Sequence, residues 1–151
     1  RGSRGYIFGP TDIGLFYDAN IIEAAEHEFV HASSLAINDQ LGHKNRWLWE
    51  AFAIYEADEF IHPKDLAYLR KGEFPSMAEL NGEFSGESAN RIYEVGFLLS
   101  EFVVETWSEE KYLELIQEAG DIEKTLAITI AEFEIKWKKF VTEKYLKKLE
   151  F

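Results

Sequence analysis

The sequence contains no cysteine, which excludes disulfide bonds, thiolate catalysis and zinc sites built on cysteine. Any metal site must therefore use histidine and carboxylate ligands. No apolar run approaches the roughly 18 residues that a membrane-spanning helix needs, and no signal-peptide pattern opens the chain. The first residues are Arg1-Gly2-Ser3 rather than methionine. This start is compatible with removal of an upstream segment, which would favour a secreted or cell-surface location.

Basic residues are also scarce relative to acidic ones, and the formal net charge is −12. This balance argues against a nucleic-acid partner, because such binding depends on neutralising phosphates with lysine and arginine. The acidic excess could steer basic peptides, but a solvated acidic surface is the favoured interpretation. With 46% hydrophobic and 15% aromatic residues in a length of 151, the chain is expected to fold as one domain over residues 1–151.

A short β segment is predicted over residues 5–18. Two aromatic and aliphatic runs, 6–8 and 13–17, are separated by Gly9-Pro10-Thr11-Asp12, a turn sequence. Two strands alone are marginal in water, so either they lie on the helices or they belong to a larger sheet further upstream. The second interpretation is preferred. The fold class is therefore mainly α with a short N-terminal β segment (α+β).

Helical periodicity accounts for most of the remaining chain. In the first helix, Asn20 with Glu23 resembles a capping box. Its apolar residues Ile22, Ala25, Phe29, Ala32 and Ala36 recur at helical spacing, which predicts an amphipathic helix. The predicted helices cover residues 20–38, 45–59, 63–70, 88–106 and 131–148, with one turn at 76–80. Gly42 interrupts the chain before the second helix, which Asn45 opens, and Ser108 and Asp121 cap two further helices. The helix over 88–106 is predicted to be buried at Ile92, Val95, Leu99, Phe102 and Thr106. Residues 88–148 would form a C-terminal helical subdomain.

The last predicted helix is rich in lysine, with six between Lys136 and Lys148. Such a pattern could mark a membrane-surface patch. Glu143 and several aromatic residues interrupt it, however, and a solvated helix face is therefore favoured.

The segment His27-Glu28-Phe29-Val30-His31 is an H-E-x-x-H motif inside the first predicted helix. Residues four apart on a helix share a face, so both imidazoles can bind one metal ion. Glu28 is rotated away from that face and can act on a water molecule as general base. A chance match is the alternative, and the placement on an amphipathic helix favours the functional interpretation.

A catalytic zinc ion usually has three protein ligands, so a third ligand is required. Glu50 is a carboxylate within the apolar stretch Trp47 to Ala53, where an unpaired charge is costly. The alternative is an exposed helix glutamate. The predicted site is thus His27, His31 and Glu50 holding one Zn²⁺ ion, with Glu28 beside it.

This pattern, followed by Glu50 in W-L-W-E-A-F-A, resembles the gluzincin clan of zinc peptidases, and most of all the bacterial peptidase MA-like domains. The likeness extends over about residues 13–147. It includes the segments 75–80 and 93–99 and the helix that contains Trp137. The resemblance implies a zincin-type catalytic domain that hydrolyses peptide or protein substrates, and it leads us to expect a truncated N-terminal sheet.

The resemblance also implies a role for Tyr93, because the hydroxyl of a tyrosine at the matching position often stabilises the oxyanion that forms during hydrolysis. From the sequence alone, Tyr93 lies beside the buried stripe of its helix, and Gly96 one turn later permits close approach of another group. A tyrosine packed at a helix edge is the alternative, and the two interpretations stay open.

Three departures from the family pattern restrict what can be transferred. Ile54 stands where thermolysin has a histidine-orienting aspartate, so such a partner must come from elsewhere. Ala51 replaces the usual glycine. No exopeptidase motif of the G-x-M-E-N type precedes the helix that contains H-E-x-x-H, which favours an endopeptidase over an aminopeptidase. The remaining histidines, His43 and His62, are expected in exposed loops rather than in contact with substrate.

Three functional hypotheses remain. The first is peptide-bond hydrolysis by an activated water with Glu28 as general base. The second is a zinc-binding but inactive peptidase-like module that uses its cleft for recognition. The third is a helical interaction domain in which the motif occurs by chance, and it predicts no bound metal. The sequence does not indicate an oligomeric state.

Overall fold

The computed structural model describes residues 5–7, 10–16, 21–82 and 90–147, and within these it leaves out the side chain of Glu23. Helices dominate this part of the chain, and one two-stranded antiparallel sheet precedes them. The elements are β1 (Gly5–Ile7), β2 (Ile13–Leu15), α1 (Ile21–Ile37), α2 (Leu41–Lys44), α3 (Arg46–Glu56), a 3-10 turn (Pro63–Asp65), α4 (Ala67–Arg70), α5 (Met77–Leu80), α6 (Arg91–Thr106), α7 (Glu109–Gln117), α8 (Ile122–Leu126), α9 (Ile130–Val141) and a π-helical turn (Thr142–Leu146). The prediction of a mainly helical chain with a short N-terminal β segment is confirmed.

The two strands are joined in a register that pairs Gly5 with Leu15 and Ile7 with Ile13. Both strands contact α1, so this sheet lies on a helix, which is the less favoured of the two predicted arrangements. The strands are shorter than predicted; residues 8 and 17 of the predicted runs and Gly9 of the predicted turn lie outside the described residues. The sheet therefore forms a small cover over one side of α1.

Helices α3 and α6 form the centre of the molecule and pack closely along their length. The close approach depends on Gly96, where a Cβ atom would lie 3.1 Å from Cα of Ala51 and 2.7 Å from Cδ1 of Ile54. Ser100, one turn further on, donates a hydrogen bond to the carbonyl of Ala51. The expectation that Gly96 lets another group approach is thus confirmed, and that group is α3.

The apolar core is one cluster of buried side chains drawn from α2 to α9. Its largest members include Trp47, Phe102, Phe133 and Trp137. The predicted stripe of α6 is buried from Ile92 to Phe102, but Thr106 is exposed because the helix ends there beyond the core. Helix α1 lies at the margin of this core, and it contributes mainly polar and small side chains to its contact with α3.

The helix predicted over residues 20–38 is confirmed as α1, but most of its apolar residues do not face the core. Ile22 and Phe29 are 73% and 64% exposed, Ala36 is also exposed, and Ala32 is the buried member of that set. The face that α1 turns inward contains His31 instead. The reason is that burial of α1 follows its polar contacts with α3 rather than its apolar spacing. The proposed capping box at Asn20 and Glu23 lies outside the described residues and side chains.

Two predicted helix caps are confirmed, since Ser108 and Asp121 each accept a hydrogen bond from the backbone amide three residues later. Ser76 does the same for α5, where the sequence predicts only a turn. Asn45 precedes α3 as predicted but does not cap it with its side chain, which donates to the carbonyl of Ala119 instead. Gly42 is part of α2 rather than an interruption.

The other boundaries differ in detail. The predicted helix over 63–70 is divided at Leu66 into a 3-10 turn and α4, with Pro63 at the first position as expected. Helix α6 begins at Arg91, and Ser88 lies outside the described residues. The last helix starts at Ile130 and changes at Thr142 into a π-helical turn, whereas Lys148 is not described. The lysines of this helix from Lys136 to Lys147 are exposed, and no helix within the described ranges is long and apolar enough to cross a bilayer.

Candidate metal centre

The two histidines of the motif lie one turn apart on the face of α1 that meets α3. Their rings pack edge to face, with centroids 4.6 Å apart and an interplanar angle of 85°. His31 is 4% exposed, and the side chain of His27 is 13% exposed. The α-helical spacing therefore brings both imidazoles to one buried point, as the motif predicts.

Glu50 reaches the same point from α3. Its Oε2 atom lies 3.5 Å from Nε2 of His27 and 3.4 Å from Nε2 of His31. The Glu50 residue is only 3% exposed, so it is not the exposed helix glutamate of the alternative interpretation. His27, His31 and Glu50 each offer one ligand atom within 4.8 Å of the others.

The spacing of these atoms suits a small cation. Two ligand atoms of a tetrahedral zinc ion with bonds of about 2.0–2.1 Å lie about 3.3 Å apart, close to the separations of Oε2 from the two imidazoles. Among the described residues, Oε2 of Glu50 has no hydrogen-bond partner although it is buried. A buried carboxylate oxygen is costly unless a cation or donor satisfies it. The residues present therefore fit a metal ion held by two nitrogens and one oxygen.

The protonation states of the metal-free cluster reflect the same proximity. Burial acts to lower the pKa of His27, but the carboxylates of Glu50 and Glu59 outweigh burial and raise it to about 9. Burial acts to raise the pKa of Glu50, but the imidazoles of His27 and His31 outweigh it and hold that pKa well below its usual range. In the absence of a metal, a proton on His27 balances the charge of Glu50.

Each of the three residues also contacts a different side chain outside the cluster. Nδ1 of His27 lies 3.1 Å from Oε1 of Glu59. The ring of His31 packs on Trp49, with centroids 4.1 Å apart. Oε1 of Glu50 accepts a hydrogen bond of 3.0 Å from the hydroxyl of Tyr93. The structure thus brings Tyr93 to the cluster, through its contact with Glu50.

The Tyr93 hydroxyl is held as a donor. Burial first, and then the charge of Glu50, raise the pKa of Tyr93, so the phenol stays protonated. Arg46, whose guanidinium lies 5.7 Å from the centre of the Tyr93 ring, lowers this pKa and only partly opposes the rise. Tyr93 is therefore part of a hydrogen-bonded network that includes Glu50, rather than only a tyrosine packed at a helix edge.

Glu28 lies beside the cluster and under β1. A Cβ atom at Gly5 would lie 2.6 Å from Cγ and 2.8 Å from Oε1 of Glu28, so the carboxylate fits only because Gly5 has no side chain. Burial raises the pKa of Glu28, and the nearby His31 and His27 partly oppose this effect. The carboxylate is consequently a stronger base than an exposed glutamate.

Glu59 was not singled out from the sequence. It follows the end of α3, where no helical spacing relates it to Glu50, and a tight turn at Asp58 brings its side chain to His27. The sequence does indicate that such a partner is needed. A ligating histidine usually donates its outer N–H to a carboxylate or carbonyl, and the side chain of Ile54 cannot accept that hydrogen bond. The expectation that this partner must come from elsewhere is met by Glu59.

The two remaining histidines do not join the cluster. His43 is exposed, as predicted, but it lies within α2 rather than in a loop. His62 is half-buried instead of exposed, because Nδ1 accepts a hydrogen bond from the amide of Lys64 and its ring packs against Phe60. His62 therefore caps the turn that begins at Pro63.

Comparisons of the chain with protein families, with curated proteins and with solved structures found no match.

Proposed function

We propose that this chain is the catalytic domain of a gluzincin-like zinc metallopeptidase with a zincin-type fold, and that it acts as an endopeptidase on peptide or protein substrates. The observation that carries the proposal is the convergence of His27, His31 and Glu50 on one buried point with Glu28 beside it. Two nitrogen donors and one carboxylate form a ligand set that zinc uses in hydrolases.

His27, His31 and Glu50 would hold the ion. When bound, zinc would polarise the scissile carbonyl and lower the pKa of a water molecule to about 7. Glu28 accepts a proton on its carboxylate from the attacking water and passes it to the nitrogen of the leaving amine. The raised pKa of Glu28 suits this exchange, because the group must both gain and release a proton.

Metal content is the first test. Protein purified without added metal is expected to contain about one zinc per chain, and His27→Ala should contain far less. His43→Ala is the matched control, since His43 is an exposed histidine outside the cluster. Near-equal zinc in the wild type and in His27→Ala would contradict the site.

Cleavage of a mixed peptide library is the second test. Hydrolysis that a chelator abolishes and zinc restores would support the peptidase. Stoichiometric zinc without any cleavage would instead favour the zinc-binding recognition module.

A further inference from the structure

The two ring nitrogens of His27 face different carboxylates. Nδ1 lies 3.1 Å from Oε1 of Glu59, whereas Nε2 faces Glu50 at 3.5 Å. A carboxylate can only accept a hydrogen bond, so Nδ1 is the donor in this pair. Nε2 is therefore the nitrogen left to bind a metal.

A specific backbone turn delivers Glu59 to this position. Asp58 adopts a left-handed conformation with φ of 52°, and the amides of Asp58 and Glu59 donate to the carbonyls of Tyr55 and Ile54. This is the Schellman motif that ends many helices. The residue at the place of Glu59 commonly makes an apolar contact with the last helical turn. Here its carboxylate is directed to His27.

The second histidine has no comparable partner. Nδ1 of His31 is buried and lacks a hydrogen-bond partner within the described part of the chain. Its ring is held by packing on Trp49. The two histidines are thus oriented by different means, because in the described part of the chain Nδ1 of His27 contacts a carboxylate and Nδ1 of His31 does not.

We infer that Glu59 is a positioning residue of the metal centre, which fixes His27 with Nε2 facing the ion and strengthens that nitrogen as a ligand. The inference rests on the proposed function, because it presupposes a metal held by His27. Loss of such a partner typically lowers metal affinity about 10- to 100-fold. Glu59 thus supplies the histidine-orienting carboxylate that is missing at Ile54.

The test compares Glu59→Ala and Glu59→Gln with Glu56→Ala, a control that removes an exposed glutamate from the last turn of α3. Zinc affinity is measured by competition with a chelator. We expect Glu59→Ala to bind zinc about 10- to 100-fold more weakly, and Glu59→Gln to lose less because its amide oxygen can still accept from Nδ1. Glu56→Ala should match the wild type.

Spectroscopy separates positioning from a merely structural effect. The visible spectrum of the cobalt-substituted protein and the ¹⁵N shifts of His27 should change in Glu59→Ala and not in Glu56→Ala. If Glu59→Ala fails to fold, the same two measurements on Glu59→Gln decide the question. A folded Glu59 variant with unchanged zinc affinity and an unchanged cobalt spectrum overturns the inference alone. A wild type that binds no zinc overturns both the inference and the proposed function.

Discussion

The hydroxyl of Tyr93 donates a hydrogen bond of 3.0 Å to Oε1 of Glu50, and the other oxygen of that carboxylate faces His27 and His31. Helices α3 and α6 bring these two side chains together. Tyr93 can therefore act in two ways. It can orient Glu50 as a ligand, or it can leave Glu50 and donate to the oxyanion of a substrate.

Tyr93→Phe distinguishes these two roles. If the hydroxyl orients Glu50, zinc affinity falls by about tenfold or more, because the ligand loses its partner. If the hydroxyl serves the oxyanion, zinc affinity holds while kcat falls about 10²- to 10³-fold. We expect the first result, because the bond to Glu50 is already formed. Chelator competition and steady-state kinetics on the same preparation give both values.

Glu28→Gln is expected to keep zinc and to lose about 10²- to 10⁴-fold in kcat, because the amide cannot accept the proton. Metal analysis and peptide hydrolysis measure the two effects separately. Glu26→Gln is the matched control, since Glu26 is exposed on the same helix. Hydrolysis retained in Glu28→Gln would refute the assignment of the general base.

Gly5→Ala tests the cover that β1 forms over Glu28. The added Cβ would lie 2.6 Å from Cγ of Glu28, so the carboxylate must move. Turnover should fall while zinc content stays at the wild-type value, because the ligands are not touched. A variant with full activity would show that β1 does not constrain the base.

The stability of the metal-free protein should depend on pH through His27. Its pKa is raised from 6.5 to about 9 in the folded state. Protonation therefore stabilises the fold fully below pH 6.5, and this contribution is lost as the pH rises towards 9. Glu50 has a lowered pKa, so its contribution is present above its ordinary pKa of 4.5 and is lost as the pH falls further. Urea denaturation of the metal-free protein across this range measures both slopes.

Zinc binding should release the proton of His27, because only the neutral imidazole is a ligand. Apparent zinc affinity is then expected to rise about tenfold per pH unit below about pH 9. Competition titrations at several pH values give the slope, and His43→Gln should reproduce it. An apparent zinc affinity that does not change with pH would show that zinc binding releases no proton from His27.

The sequence was a good guide where chemistry and spacing are local. The H-E-x-x-H spacing predicts that His27 and His31 share a face, the apolar stretch around Glu50 predicts its burial, and both predictions are confirmed. Short caps such as Ser108 and Asp121 also follow from side-chain chemistry within four residues.

Two features depended on contacts between distant segments and were not foreseen. Helix α1 turns His31 inward and leaves Ile22 and Phe29 exposed, because its orientation is set by α3 rather than by its own apolar pattern. Glu59 is brought to His27 by the left-handed conformation of Asp58, which no periodic pattern encodes.

The turn at Asp58 also fixes the number of residues between Glu50 and the Glu59 carboxylate that contacts His27. One inserted or deleted residue between Glu50 and Glu59 would rotate the helix end by about 100° and direct that carboxylate elsewhere. Chains that share this arrangement should therefore carry an acidic residue nine positions after the glutamate that matches Glu50. That residue should be preceded by aspartate, asparagine or glycine, which tolerate a positive φ. This spacing is a search pattern that can be applied to sequences with no detectable overall similarity.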